Sequence, residues 1–173
     1  MRTASDFDAF VESFGWANFP YDESLSNAVR TNVTPRVFTA NEAPPTATIR
    51  LHHELAQTPR FPSHLFFFCE RPAERGGATA LCRSDALFEA IACELIAAFA
   101  WADRRNDPSR SVVHGDGSPV DVAAAARVAE LAETLAVDLD WQAGDVALVD
   151  NLCVMHGRRS FAGARRVLAS LVA

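Results

Sequence analysis

The sequence has no apolar stretch long enough to cross a membrane. Its longest apolar runs, at residues 65–69 and 91–100, fall short of the roughly 18 to 20 residues that a membrane-spanning helix needs. The first ten residues contain charged side chains but no apolar segment followed by a small-residue cleavage site, so they do not resemble a signal peptide. We therefore expect a cytoplasmic protein with no membrane partner.

Positive charge is also scarce. The 173 residues include 16 Lys+Arg against 22 Asp+Glu, which gives a formal net charge of -6. No segment concentrates the basic residues as nucleic-acid binding requires. The composition therefore disfavours a nucleic-acid partner and favours a small neutral or anionic molecule, while the oligomeric state is left open.

Cysteine is sparse and dispersed. Cys69, Cys82, Cys93 and Cys153 each stand alone among apolar residues. This pattern lacks the paired spacing of a zinc site and the density of a disulfide scaffold. We expect all four thiols to be buried as small hydrophobic side chains.

The length corresponds to one domain over residues 1–173, and 49% hydrophobic with 22% charged residues is typical of a globular protein. Periodicity and flanking proline or glycine predict helices at 6–14, 85–99 (with Ser84 as N-cap) and 120–136. The same signals predict strands at 37–39, 48–55, 65–69, 79–82, 146–149 and 164–172. Because strands dominate both ends, the simplest architecture is a small β-barrel or double-sheet jelly roll with helices packed outside.

His52 and Glu54 are the first candidate site residues. In a strand their side chains would point to the same face, and that of His53 to the other. Taken alone, such a pair is also typical of a polar strand end in solvent. The favoured partner is His156, which follows the predicted strand 146–149. Two imidazoles and one carboxylate form the facial triad of non-haem Fe(II) sites, whose open positions accept a chelating co-substrate and O2.

Arg165 and Arg166 in the last predicted strand are the next candidates. A buried guanidinium can grip a carboxylate through two hydrogen bonds, so it could hold the far end of a dicarboxylate bound to iron. Adjacent arginines are equally typical of a solvated strand edge. Because neighbouring side chains in a strand alternate, only one of the two can face inward.

Four segments in order carry a family likeness. They are 51–54 (LHHE); 66–69 (FFFC) with 71–74 (RPAE) and 76–79 (GGAT); 144–151 (GDVALVDN) with 156–158 (HGR); and 161–163 (FAG) before Arg165 and Arg166. Together they resemble the Fe(II)/2-oxoglutarate dioxygenases of the taurine dioxygenase and clavaminate synthase-like family. The resemblance covers roughly 34–84 and 115–172, and it implies a mainly β protein with a double-stranded β-helix (jelly-roll, cupin-like) core and flanking helices.

The resemblance also implies the roles of individual residues. His52, Glu54 and His156 would hold iron, and the Thr79 hydroxyl would hydrogen-bond 2-oxoglutarate. The distal carboxylate of 2-oxoglutarate would pair with an arginine of the last strand. We favour Arg165 for this role, because it directly follows the segment 161–163, and keep Arg166 as the alternative.

The implied activity is hydroxylation, or a related oxidation of a C–H bond, in a small molecule such as an amino acid or a biosynthetic intermediate. O2 and 2-oxoglutarate would be consumed, and succinate and CO2 released. Members of the family that halogenate lack the carboxylate ligand, so Glu54 favours hydroxylation. The resemblance does not identify the substrate.

The chain departs from the family between the Gly-Gly-x-Thr segment and the last Gly-Asp strand, where relatives usually have a longer stretch. We therefore expect the domain to be shortened or interrupted near 98–108. Two other functions stay open. The first is a catalytically silent small-molecule-binding β-barrel. The second is a zinc hydrolase, which is disfavoured because no further carboxylate stands in an evident general-base position.

Overall fold

The structure is a computed structural model that describes residues 1–20, 30–40, 42–56, 58–91, 118–119 and 121–173. Its helices are α1 (Ala4–Glu12), α2 (Ser84–Ala90) and α3 (Val122–Leu135). Its strands are β1 (Phe38–Thr39), β2 (Ile49–His52), β3 (His64–Arg71), β4 (Arg75–Gly76), β5 (Thr79–Arg83), β6 (Val137–Leu139), β7 (Val146–Asp150), β8 (Val154–Arg158), β9 (Phe161–Ala162) and β10 (Arg166–Val172). No helix in these ranges is long and apolar enough to span a bilayer.

Two four-stranded sheets, with all their strand pairs antiparallel, form the body of the protein. One has the strand order β1-β10-β3-β7 and the other β2-β8-β5-β6, while β4 and β9 form a separate two-stranded ribbon. The main apolar core joins side chains of the first sheet to partly buried residues of β5, β6 and β8 in the second. The core therefore lies between two sheets, as the predicted jelly roll requires.

Strand β3 is buried on both faces, which explains its unbroken apolar run. Leu65 and Phe67 point into the core between the sheets, whereas Phe66 and Phe68 point outward. There they pack with Phe7 and other apolar residues of helix α1. Since successive side chains of a strand alternate between faces, a helix on the outer face is what allows every residue of this run to be apolar.

The helix predictions hold for position but not for every boundary. Helix α1 begins two residues before the predicted start, behind a capping box between Thr3 and Asp6. Helix α3 begins after Asp121, whose side chain accepts the Ala123 amide hydrogen.

Helix α2 corrects the prediction of a helix over 85–99 with Ser84 as N-cap. Arg83 is the N-cap, and Ser84 is the first helical residue. The helix ends at Ala90, because the backbone of Ile91 is extended. The rest of the predicted helix and the expected interruption near 98–108 lie outside the described residues.

The sequence did not predict four short strands, which are β4, β6, β8 and β9. Strand β8 matters most, because His156 lies within it and not in a loop after β7. The predicted strand 48–55 is also too long, since β2 ends at His52. Cys69 and Cys82 are buried as expected, Cys153 is exposed, and Cys93 lies outside the described residues.

Replacement of a buried ring on β3 tests this packing. Phe68 is 0% exposed, and its ring centroid lies 5.4 Å from that of Phe7. We expect Phe68→Ala to lower the free energy of unfolding in urea by about 3–5 kcal/mol, because it leaves a cavity under helix α1. Phe61 is 48% exposed, so Phe61→Ala should cost about 1 kcal/mol or less. Equal losses would contradict the two-faced burial of β3.

Candidate active site

The two candidate imidazoles stand opposite each other on neighbouring strands. Strands β2 and β8 pair antiparallel, with His52 in register with His156, and the two ring centroids are 4.4 Å apart. Gly157 allows this close approach, because a Cβ there would lie 2.5 Å from the Ile49 carbonyl oxygen. The pairing therefore places both rings on one face of the sheet.

Glu54 reaches the same place by a route that strand alternation does not explain. It lies beyond the end of β2, and the following Leu55 turns the chain with a φ of 56°. The buried side chain of Asn151 fixes the position of Glu54: it accepts the Glu54 amide hydrogen (2.7 Å) and donates to the carbonyl oxygens of Glu54 (3.1 Å) and Pro62 (2.8 Å). Glu54 and His52 thus lie close together as predicted, but the buried side-chain amide of Asn151 brings this about, and not strand alternation.

The three side chains form a compact set of metal-ligand atoms. One ligand atom from each of His52, Glu54 and His156 can be chosen so that all lie within 4.8 Å of one another. The Nδ1 atom of His52 is 2.8 Å from the Arg50 carbonyl oxygen. Since a carbonyl can only accept, this nitrogen donates, and the other ring nitrogen keeps its lone pair.

The ring of His156 is not satisfied by protein groups alone. It is buried, its Nδ1 has no hydrogen-bond partner among the residues that the structure describes, and its Nε2 is 3.5 Å from the Glu54 carboxylate. A purely structural buried histidine normally has its polar atoms paired. The arrangement fits a bound cation, and two imidazoles with one carboxylate suit Fe(II).

Arg30 supplies a charge that the sequence analysis did not foresee. Its Nη2 lies 2.8 Å from Glu54 Oε1, and both side chains are nearly buried. Burial alone would raise the pKa of Glu54, but the hydrogen bond with His156 and the charge of Arg30 outweigh it and hold that pKa far below its usual range. The carboxylate is therefore ionised and ready to bind a cation. Arg30 belongs to no recognisable motif, so no sequence signal marks it.

Thr79 and Arg165 line the same cavity as the three ligands. The Thr79 hydroxyl oxygen accepts a hydrogen bond of 2.9 Å from the indole Nε1 of Trp141. The Arg165 Nε donates to the Gly77 carbonyl oxygen at 3.0 Å. A side chain at Gly77 would press on this arginine, because its Cβ would lie 3.1 Å from Arg165 Cδ. Burial and the charge of Arg158 lower the pKa of Arg165 to about 10, so it is still a cation at neutral pH.

Arg166 and Arg158 lie in different surroundings. Arg166 begins β10, is exposed, and pairs with Glu70 at 2.8 Å, away from the cavity. Arg158 lies in β8, is 6% exposed and lines the cavity. Its guanidinium donates to the carbonyl oxygens of Ala43, Pro44 and Ala47. The segment 43–47 therefore supplies the acceptors that allow this charge to be buried.

One cavity thus combines cationic, carboxylate, imidazole and apolar groups. Its lining comprises Arg30, Ala40, Ile49, His52, Glu54, Phe67, Thr79, His156, Gly157, Arg158, Arg165 and Val167. The sequence profile of the Taurine catabolism dioxygenase TauD, TfdA family matches residues 2–112 and 101–171. The chain belongs to this family.

Individual relatives agree with this assignment. A clavaminate synthase-like protein of Arabidopsis thaliana is 29% identical over 260 aligned positions, which include 99% of this chain and 78% of the relative. A taurine dioxygenase from Burkholderia xenovorans superposes with a TM-score of 0.64 at 18% identity, over 99% of this chain and 72% of that chain. An asparagine oxygenase in complex with Fe(II), hydroxyasparagine and succinate gives a TM-score of 0.59 at 18% identity, over 73% of this chain. These superpositions confirm the predicted jelly-roll fold.

The chain covers only part of the length of the relatives that it matches. It spans 50% of the length of the asparagine oxygenase. The alignment with the Arabidopsis relative runs over 260 positions, although the chain has 173 residues. The relative therefore carries residues that have no counterpart here.

The acidity of His52 predicts how stability depends on pH. Burial and the adjacent His156 lower the pKa of His52 from 6.5 to about 4 in the folded protein. Between these two values the unfolded chain binds a proton that the folded chain does not. The free energy of unfolding of chelator-treated protein should therefore fall as the pH drops through this range, by at most about 1.4 kcal/mol per pH unit.

Urea unfolding at a series of pH values measures this slope. His52→Asn should make it shallower, whereas His64→Asn, which removes an imidazole outside the cavity lining, should leave it nearly unchanged. Equal slopes in the two variants would show that the effect does not come from His52.

Proposed function

We propose that this chain is an oxygenase that uses Fe(II), 2-oxoglutarate and O2 to oxidise a C–H bond of a small molecule, most simply by hydroxylation. The products from 2-oxoglutarate would be succinate and CO2. The proposal rests on one observation. One ligand atom from each of His52, Glu54 and His156 lies within 4.8 Å of the other two, in a cavity that Thr79 and Arg165 also line. Membership of the TauD, TfdA family supports it.

The protein groups divide into a metal side and a co-substrate side. His52, Glu54 and His156 would hold the iron, which would supply the oxidising chemistry at its open positions. Thr79 and Arg165 would hold 2-oxoglutarate, with the guanidinium on the distal carboxylate. Among the lining residues that the structure describes, Glu54 is the one carboxylate, and it belongs to the metal side. The co-substrate side therefore offers hydrogen-bond donors and positive charge to a dianion.

The cavity walls also restrict water. Apolar side chains of Ile49, Phe67 and Val167 stand among the polar groups, and Arg158 fastens the segment 43–47 through its carbonyl oxygens. Where such side chains exclude water, each electrostatic contact becomes stronger and reactive species are protected from side reactions. The residues that enclose the site would therefore contribute without touching the reacting atoms.

The molecules bound in two structural neighbours suggest a class of substrate for this chain. One neighbour was solved with hydroxyasparagine and another with hydroxyarginine. An amino acid or a similar small polar molecule is therefore the first class of substrate to assay. Substrate choice depends on loops that vary among members of one fold.

We also propose that the domain is a shortened or interrupted member of its family. The family profile matches the chain in two segments, which overlap at residues 101–112. This overlap lies close to the predicted interruption near 98–108. The chain spans only 50% of the length of the asparagine oxygenase, which favours a second candidate function, a silent binding barrel that keeps the cavity without turnover.

Succinate formation separates these functions. Purified protein with Fe(II), 2-oxoglutarate, O2 and a panel of amino acids should release succinate, and His156→Ala should abolish it. The same variant should weaken Fe(II) binding by more than about 100-fold, because a ligand is worth more than the groups that orient ligands. His64→Ala is the matched control and should retain both properties. Unchanged Fe(II) affinity in His156→Ala, with no succinate from the wild type, would favour the binding barrel.

The two adjacent arginines provide a second test. We expect Arg165→Gln to raise the Kd for 2-oxoglutarate about 10- to 100-fold, the worth of a charge-assisted hydrogen bond. Arg166→Gln should leave it unchanged, because Arg166 pairs with Glu70 at the surface. Anaerobic calorimetric titration of the Fe(II)-loaded protein measures both values. A large effect of Arg166→Gln alone would assign the co-substrate to the other arginine.

A further inference from the structure

Trp141 makes a buried contact with Thr79 that no motif predicts. Strand β6 pairs with β5 so that Leu139 lies opposite Thr79. Trp141 follows two residues later and reaches the Thr79 side chain. The indole Nε1 lies 2.9 Å from the Thr79 hydroxyl oxygen. The indole is 9% exposed and belongs to the main core together with Phe67 and Val167. Packing therefore holds the donor in place.

The direction of this hydrogen bond is fixed by chemistry. An indole nitrogen can only donate, so the Thr79 oxygen is the acceptor. The hydroxyl keeps its own hydrogen, which needs an acceptor elsewhere. Across the ranges that the structure describes, no protein group accepts from the Thr79 hydroxyl, and the residue lines the cavity.

We infer that Trp141 is a positioning residue for 2-oxoglutarate and that it acts through Thr79. The indole N–H of Trp141 occupies a lone pair of the hydroxyl oxygen. The hydroxyl hydrogen then points into the cavity, where a carboxylate of the co-substrate would accept it. Without the indole N–H, the hydroxyl could rotate and present its lone pairs to that carboxylate. This inference rests on the proposed function, because it takes 2-oxoglutarate as the ligand that Thr79 meets.

A double-mutant cycle tests the inference. Trp141→Phe keeps an aromatic ring and removes the N–H, and Thr79→Val keeps the shape and removes the hydroxyl. The Kd for 2-oxoglutarate is measured by anaerobic titration of Fe(II)-loaded protein, followed by the visible absorption of the iron chelate. We expect Trp141→Phe to raise this Kd about three- to tenfold, the worth of one oriented hydrogen bond. Its affinity for Fe(II) should not change, and it should add nothing in the Thr79→Val background.

Two results would overturn the inference while 2-oxoglutarate still binds the wild type. One is an unchanged Kd in Trp141→Phe. The other is the same loss in the presence and absence of the Thr79 hydroxyl, which would assign the effect to ring packing. A wild-type chain that binds Fe(II) but no 2-oxoglutarate would instead overturn the proposed function, and this inference with it.

A measurement on the unaltered tryptophan covers the case in which Trp141→Phe does not fold. The chain has three tryptophans, so their indole N–H signals can be assigned by NMR. In protein loaded with diamagnetic Zn(II), 2-oxoglutarate should shift the Trp141 signal, because a hydroxyl that donates becomes a stronger acceptor. Thr79→Val should abolish the shift. A Trp141 signal that does not respond in the wild type would overturn the inference.

Discussion

The pairing of β2 with β8 is the constraint on which the site depends. Because His52 lies opposite His156 in this register, a slip of one residue would turn one imidazole to the other face of the sheet. Gly157 keeps the two strands close enough for the rings to meet. The proximity of the two imidazole rings therefore depends on the strand register as much as on the presence of histidine at both positions.

Around this pair, buried polar groups position the side chains that lie outside the regular strands. Glu54 lies beyond the strand, and the amide of Asn151 holds its backbone. Arg30 ion-pairs with one oxygen of the Glu54 carboxylate. On the co-substrate side, the Gly77 carbonyl orients the guanidinium of Arg165. Each of these supports is a hydrogen bond in a buried setting, where loss of one partner leaves the other unsatisfied at a cost of about 1–3 kcal/mol.

The sequence predicted that three candidate ligands would converge, but it did not predict the contacts that hold them in place. His52, Glu54 and His156 could be found because short motifs retain their spacing. Strand alternation limited the two C-terminal arginines to one inward position without deciding between them. Arg30 and Trp141 could not be foreseen, since their roles arise from contacts across the fold and not from neighbours in sequence. Helix α2 ended early for a related reason, because apolar periodicity does not register an extended backbone at the next residue.

Arg158 links one wall of the cavity to strand β8, which also carries His156. The segment 43–47 contains two prolines, which cannot donate, and three of its carbonyl oxygens accept hydrogen bonds from this one guanidinium. Arg158 lies two positions after His156 on the same strand, and both face the cavity. Sliding of β8 would thus displace an imidazole and shift the segment 43–47 in a single movement, so the position of the His156 ring and the position of this wall are mechanically coupled.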